Sequence, residues 1–227
     1  RSDAYRPGAL RNDMIFGMGE DSSGTLWFGT SNGIHRYNPL NHRFGHLGSD
    51  PNDPASLAAP TVRALLADHA GRLWVGLVQG GLDRVDPATG ASVHYKSVPG
   101  DPGSLAHDTV CALLEDRQGA LWVGTWGGGL DRMDRARTAF THFRSIAGDP
   151  ATLSSNIVQA LLEDRGGKLW VGTENGLNRM DPATGRCRRF FHNPDDPGSL
   201  SDNRIQSGAL CFDRSGTLWV GTWNGLN

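Results

Sequence analysis

The dipeptide Leu-Trp returns five times, as Leu26-Trp27, Leu73-Trp74, Leu121-Trp122, Leu169-Trp170 and Leu218-Trp219, with the tryptophans 47, 48, 48 and 49 residues apart. A fixed period of this length means a row of equivalent supersecondary units, and every other feature has to be placed within that row. Each Leu-Trp follows an Asp-x-x-Gly: Asp21 with Gly24, Asp68 with Gly71, Asp116 with Gly119, Asp164 with Gly167 and Asp213 with Gly216. An Asp side chain bonds the backbone of its own turn, and Gly takes positive φ without steric cost, so these pairs read as tight structural turns. The turn delivers each tryptophan to the same place on the following strand. Trp27, Trp74, Trp122, Trp170 and Trp219 are therefore expected in the core, between neighbouring sheets.

Four strand-like segments fill each period. In the third repeat they are Thr109–Glu115, Ala120–Thr125, Gly129–Met133 and about Ala139–Arg144, here named A to D. A second turn, Asp134–Thr138, joins C to D and is matched by Asp86-Pro87-Ala88-Thr89-Gly90 and Asp181-Pro182-Ala183-Thr184-Gly185. An Asp-Pro-x-Ser/Thr-Leu link (Asp53–Leu57, Asp101–Leu105, Asp149–Leu153, Asp196–Leu200) leads from D to the next A. Gly and Pro interrupt every segment before a helix could reach a useful length. Four antiparallel strands per period predict an all-β fold, a β-propeller of about five blades over residues 1–227. The blades run approximately 10–56, 57–104, 105–152, 153–199 and 200–227, the last incomplete. Strand C of the fifth repeat stops before its Asp-Pro turn, and Ala4-Tyr5-Arg6 reads as the end of a D strand. The expected arrangement is an open arc of a larger ring, with Tyr5 far from Leu226, rather than a closed ring of five.

Composition narrows the function classes. Apolar residues make up 37% of the chain and glycines number 31, which suits short strands and tight turns. A net charge of −2 without a basic run argues against nucleic acid, and no apolar run is long enough to span a membrane. Arg1-Ser2-Asp3 reads as the start of a trimmed chain without a signal peptide. Cys111, Cys187 and Cys211 sit at unrelated repeat positions with no Cys-x-x-Cys, so they read as free thiols. The histidines lack metal-ligand spacing, and no catalytic or phosphate-binding signature occurs, so no metal, cofactor or catalytic residue is expected. Arg36, Arg84, Arg132 and Arg179 recur in strand C and read as structural partners, with the strand-A Asp one candidate.

Leu-Trp-Val-Gly-Thr, Gly-Gly-Leu-Asp-Arg-Met-Asp and Asp-Pro-x-Ser-Leu together resemble the two-component regulator propeller repeats. Departures are local: Leu77 replaces Thr, Phe28 and Ile34 replace Val and Leu, Ser207-Gly208 is inserted, and Cys211-Phe212 stands where other repeats have Leu-Glu. The resemblance implies seven-bladed rings in the extracytoplasmic sensor region of bacterial hybrid histidine kinases, with some diguanylate cyclases among the related receptors. It implies a periplasmic or extracellular location, signalling output carried by other domains, and a homodimer formed through the full receptor.

Residues that vary within a fixed frame are where a repeat protein differentiates its surface. Chain direction puts the B–C loops and the starts of strand A at one end of every blade. There lie Gln79, Trp126, Glu174, Asn175, Trp223 and Asn224, beside His107, Asp108, Asn156, Asn203 and Arg204. Trp126 and Trp223 stand outside the repeated Leu-Trp. Tryptophan amid amides and charges suits a carbohydrate-like or other small-molecule ligand. The expected function is non-enzymatic ligand sensing, with no nucleic-acid or membrane contact by this segment. The alternatives are a propeller lyase resembling streptogramin lyase, with His107, Asp108 and Glu174 the only acid/base nominees, and a scaffold or dimerisation module.

Overall fold

The computed structural model describes residues 10, 12–39, 42–133 and 139–227. These residues form strands, turns and loops with no helix, in four four-stranded sheets and one three-stranded sheet, the blades of a β-propeller. The first blade holds β1 (Ile15–Glu20), β2 (Leu26–Thr30), β3 (Gly33–Asn38) and β4 (Arg43–Leu47). The second holds β5 (Val62–Ala67), β6 (Leu73–Leu77), β7 (Leu82–Val85) and β8 (Ser92–Tyr95). The third is β9 (Val110–Glu115), β10 (Leu121–Thr125), β11 (Leu130–Met133) and β12 (Phe140–Phe143). The fourth is β13 (Val158–Glu163), β14 (Leu169–Thr173), β15 (Gly176–Met180) and β16 (Cys187–Phe190). The fifth has β17 (Ile205–Phe212), β18 (Leu218–Thr222) and β19 (Gly225–Leu226). Tyr5, Ala4–Arg6 and the Asp134–Thr138 turn lie outside the described residues.

Compactness divides the chain into residues 1–113 and 114–227, with the boundary inside β9 rather than between repeats. In the first unit, Trp27, Ile34, Leu57, Val62, Leu73 and Val75 form the buried core. In the second, Trp122, Leu130, Leu153, Val158 and Leu169 form one cluster, and Ala160, Leu177, Ile205 and Val220 contribute to another.

The glycine of Leu-Trp-Val-Gly has a packing reason. A Cβ on Gly76 would come within 2.6 Å of Val110 Cγ1, and one on Gly172 within 2.6 Å of Ile205 Cγ2. The first strand of the next blade packs against that spot with a β-branched side chain, so only hydrogen fits. The same first strands carry β-bulges, between Val62 and Ala64 and between Val158 and Ala160. In β17 the irregularity widens to Ile205–Leu210, where the inserted Ser207-Gly208 is accommodated by Gly208 at φ 67°.

The Asp-Pro links fasten one blade to the next. Ala55 O accepts the Ser92 N–H and Ala151 O accepts the Cys187 N–H, both at 2.8 Å. Leu57, Leu105 and Leu153 of these links are fully buried.

Candidate functional site

The two ends of the blades do different work. At the turn end, an Asp clamp repeats. Asp116 Oδ1 accepts the backbone N–H groups of Gln118 (3.0 Å) and Ala120 (2.9 Å), while Oδ2 accepts the Trp122 indole N–H at 2.7 Å. The indole is bonded in the same way in Asp21–Trp27 (2.8 Å), Asp68–Trp74 (2.8 Å) and Asp213–Trp219 (3.0 Å). Burial pushes the Asp68 pKa up, but the Trp74 and Arg72 bonds outweigh it and hold the carboxyl below its ordinary value. Ser215 and Trp219 hold Asp213 down to about 2.

The glycines of the clamp serve the backbone. Gly24, Gly71, Gly119, Gly167 and Gly216 take φ of 80°, 76°, 78°, 74° and 90°. Each donates its N–H to the carbonyl of its own Asp, at 2.8 to 3.0 Å. A Cβ on Gly24, Gly71 or Gly167 would meet no atom nearer than 3.8 Å, so the left-handed conformation, not crowding, asks for glycine. Of the five, Gly216 also lines a cavity between the fourth and fifth repeats. Gly24, Gly71, Gly119 and Gly167 do not line it and serve the turns alone.

The fourth repeat departs. Arg179 Nε and Nη2 both donate to Asp164 Oδ2, at 2.9 and 2.6 Å. The Trp170 indole N–H is sealed from water and has no acceptor. The sequence suggested Asp as one partner for the strand-C arginines, and Arg179 has that partner. Arg36, Arg132 and Arg179 all lie over the tryptophan ring of their own repeat, at 6.0, 5.4 and 5.8 Å.

Four of the five repeated tryptophans are buried or half-buried. Trp219, expected in the core, is 43% exposed. Among the described residues the fifth sheet has three strands and nothing covers that face of β18, so repeat equivalence did not translate into burial.

At the loop end, several of the candidate ligand residues also brace the framework. Asn156 Oδ1 accepts the Ser145 N–H (2.7 Å) and its carbonyl accepts the Gly129 N–H (2.9 Å). Asp108 does the same with Ser97 and Gly81, and Asn203 with His192 and Gly176. These three side chains tie the B–C turn, the end of strand D and the start of the next strand A together. They act as corner posts: the turn they brace needs an acceptor at that point. His107 Nδ1 accepts the Thr109 N–H at 2.9 Å, which leaves it and Asp108 engaged locally and gives the acid/base reading no support. Asn175 and Asn224 donate their backbone N–H to Thr173 Oγ1 and Thr222 Oγ1, and Asn224 Nδ2 donates to Ser201 O at 3.3 Å. Gln79 takes φ 58° where Leu77 has replaced the turn-bracing threonine, and its N–H goes to Thr109 Oγ1.

What the second unit does present at this end is a row from three repeats. Trp126, 40% exposed, bridges to Ile157, and Ile157 O also accepts the Glu174 N–H. The Glu174 carboxylate takes a bond from Gln159 Nε2 at 2.8 Å. Arg204 is held by Asp202 at 2.9 Å, feels the Glu174 charge, and lies 4.9 Å over the ring of Trp223, which is 62% exposed. The Arg204 bonds push Asp202 down to about 2.

Two buried pairs escaped the sequence reading. Asp83, fully buried, accepts from His94 Nδ1 at 2.7 Å, and Asp131 pairs with His142 at the same distance. Burial raises the Asp83 pKa beyond what the Ala58 N–H and His94 recover. Burial pulls His94 down, but the Asp83 bond, the Pro54 carbonyl and the Asp83 charge together carry it above its ordinary value. The signal was available as Leu-Asp-Arg in strand C with His eleven residues later, on the facing strand. Among the described residues no His, Cys, Asp and Glu cluster could hold a metal. Burial pushes the Cys187 thiol up to about 11, so it is not reactive.

Bladed sheets, turn clamps and a differentiated loop end define a β-propeller. Residues 9–32, 104–127, 152–175 and 199–224 match the family model for the two component regulator propeller, so these four stretches are repeats of that family. Among solved structures, an extracellular domain of a hybrid two component system from B. thetaiotaomicron is 24% identical, with a TM-score of 0.76 over 97% of this chain and 28% of that one. A second such domain from B. thetaiotaomicron is 20% identical, with a TM-score of 0.61 over 96% of this chain and 40% of that one. Virginiamycin B lyase from Staphylococcus aureus is 18% identical, with a TM-score of 0.67 over 96% of this chain and 67% of the enzyme. The chain thus spans less than half of either extracellular domain, and the shared feature at these identities is the propeller fold. No curated protein matches the sequence. No helix among the described residues is long and apolar enough to cross a membrane.

Proposed function

We propose that this chain is a non-enzymatic, ligand-sensing part of a bacterial membrane signalling receptor of the two-component type. It lies on the periplasmic or extracellular side, and a full receptor that works as a homodimer carries the output. The ligand is carbohydrate-like and binds the loop-end row of the second unit. The observation that carries this reading is the exposure of Trp126 and Trp223 on either side of the Glu174 and Arg204 charges. Large aromatic faces left in water stack on sugar rings, and fixed carboxylate and guanidinium groups bond hydroxyls. The family match and the sensor-domain fold likeness point the same way.

The test is a thermal-shift screen against xylo-, cello- and arabino-oligosaccharides, with the same mixtures assayed for turnover. At least one oligosaccharide should raise the melting temperature without being consumed, and Trp223→Ala should remove the rise. A panel that leaves the melting temperature unchanged argues against a carbohydrate ligand, and consumption of the ligand would favour the lyase reading instead.

A further inference from the structure

We propose that the unit of residues 114–227 holds a second site, for a flat, apolar small molecule carrying a carboxylate, at the turn end of its fourth and fifth repeats. The site lies at the opposite end of β14 from Glu174 and does not depend on the carbohydrate reading.

A cavity of about 790 Å³ opens there, within the size range of small-molecule sites. Trp170, Phe190 and Phe212 give it aromatic walls. The Trp170 and Phe190 rings lie 5.6 Å apart and only 30° from parallel. Phe212 makes the place particular to these repeats: the same strand-A terminus carries Glu20, Glu115 or Glu163 in the first, third and fourth. A carboxylate there would repel an anion, and an aromatic ring does not.

The charge is unbalanced. Of the lining carboxylates, Asp164 is taken by Arg179, and Glu163 Oε2 accepts the Arg117 backbone N–H at 3.0 Å with the Arg117 guanidinium 3.8 Å away. Arg165 and Arg188 also line the cavity, and among the described residues neither has a carboxylate within ion-pair reach. Arg188 instead lies 5.0 Å over Phe190. Two guanidinium groups are therefore unspent. A cleft of one sign concentrates anions, and the planar fork of arginine matches a carboxylate.

The wall also has a surplus donor. The Trp170 indole N–H has no acceptor, while the four equivalent indoles are bonded to Asp. Buried donors are nearly always satisfied, so this orphan behind the Trp170 ring marks the corner as wired differently from the other four. The flat aromatic walls and the guanidinium groups without a carboxylate partner converge on one chemistry, an unsaturated carboxylate.

The test titrates 2-naphthoate into the 227-residue chain, followed by calorimetry and by the indole ¹H–¹⁵N signals. Saturable binding should move the Trp170 signal and leave those of Trp126 and Trp223 in place. The neutral isostere 2-naphthamide should bind at least about tenfold more weakly, and Arg165→Ala with Arg188→Ala should lose about as much. Both arginines are exposed, so the double variant should melt like the parent, and oligosaccharide binding should survive in it. Absence of saturable binding at millimolar naphthoate, equal affinity for the amide, or signal changes confined to Trp126 and Trp223 would each overturn the proposal.

Discussion

The turn corners of the third and fourth repeats have nearly the same sequence and different wiring. Asp116 closes its corner by taking two backbone N–H groups and the Trp122 indole, and Trp122 is fully buried. Asp164 takes the same backbone groups, from Gly166 and Lys168, but its second oxygen goes to Arg179. Arg132 and Arg179 both lie over the ring of their repeat's tryptophan, at 5.4 and 5.8 Å. In the fourth repeat the guanidinium also takes the Asp164 oxygen, and the indole is left unbonded with a cavity beside it. A repeat frame can thus be kept intact while a single contact is redirected, and the redirected contact is where the blade gains new surface.

The largest effect that tests this contrast is Trp122→Ala. Removing a fully buried tryptophan should cost about 3–5 kcal/mol in urea unfolding, whereas Trp219→Ala, at a half-open face, should cost about 1 kcal/mol. Similar losses for both would show that burial does not rank the repeated tryptophans. A sharper comparison replaces only the indole N–H. Trp122→Phe breaks a bond and strands Asp116 Oδ2, while Trp170→Phe removes a donor that had no acceptor. The first should cost about 1–2 kcal/mol more than the second in the same melts. If Trp170→Phe proves the costlier, the wiring of the fourth corner is not as described.

The repeat period, the strands and the turn chemistry were legible in the sequence because each rests on local rules. Asp-x-x-Gly before Leu-Trp fixed the turn, and observed strands such as β10 and β12 begin or end within about a residue of the segments expected. The wiring of the corners was not legible. Arg36, Arg132 and Arg179 share one motif and all three lie over the ring, but whether the guanidinium also reaches the carboxylate depends on packing that no motif encodes. The Asp83–His94 pair stayed hidden because its members meet across a hairpin, which no motif spacing records. At the loop end, variability correctly marked Trp126 and Trp223 as exposed. It could not separate them from Asp108, Asn156 and Asn203, which vary in identity yet all supply a side-chain acceptor to the same corner.

The smallest expected effect concerns the buried pair of the first unit. The folded-state pKa of His94 lies above the ordinary value of 6.5. The stabilisation it contributes is therefore complete below about pH 6.5 and fades as pH rises through the folded value. An NMR titration should find His94 still protonating above 6.5, and Asp83→Asn should bring its pKa down. An unchanged midpoint in Asp83→Asn would mean that Asp83 does not hold the proton on His94.

The central claim is a division of labour among the seven tryptophans of this chain: five set in the repeated frame and two turned outward at the loop end. One measurement addresses it directly, the ¹H–¹⁵N indole spectrum recorded during titration with the oligosaccharide that gives the largest thermal shift. The account predicts that the Trp126 and Trp223 signals move with saturation while those of Trp27, Trp74 and Trp122 stay fixed. Movement of the frame tryptophans with Trp126 and Trp223 unmoved would contradict it.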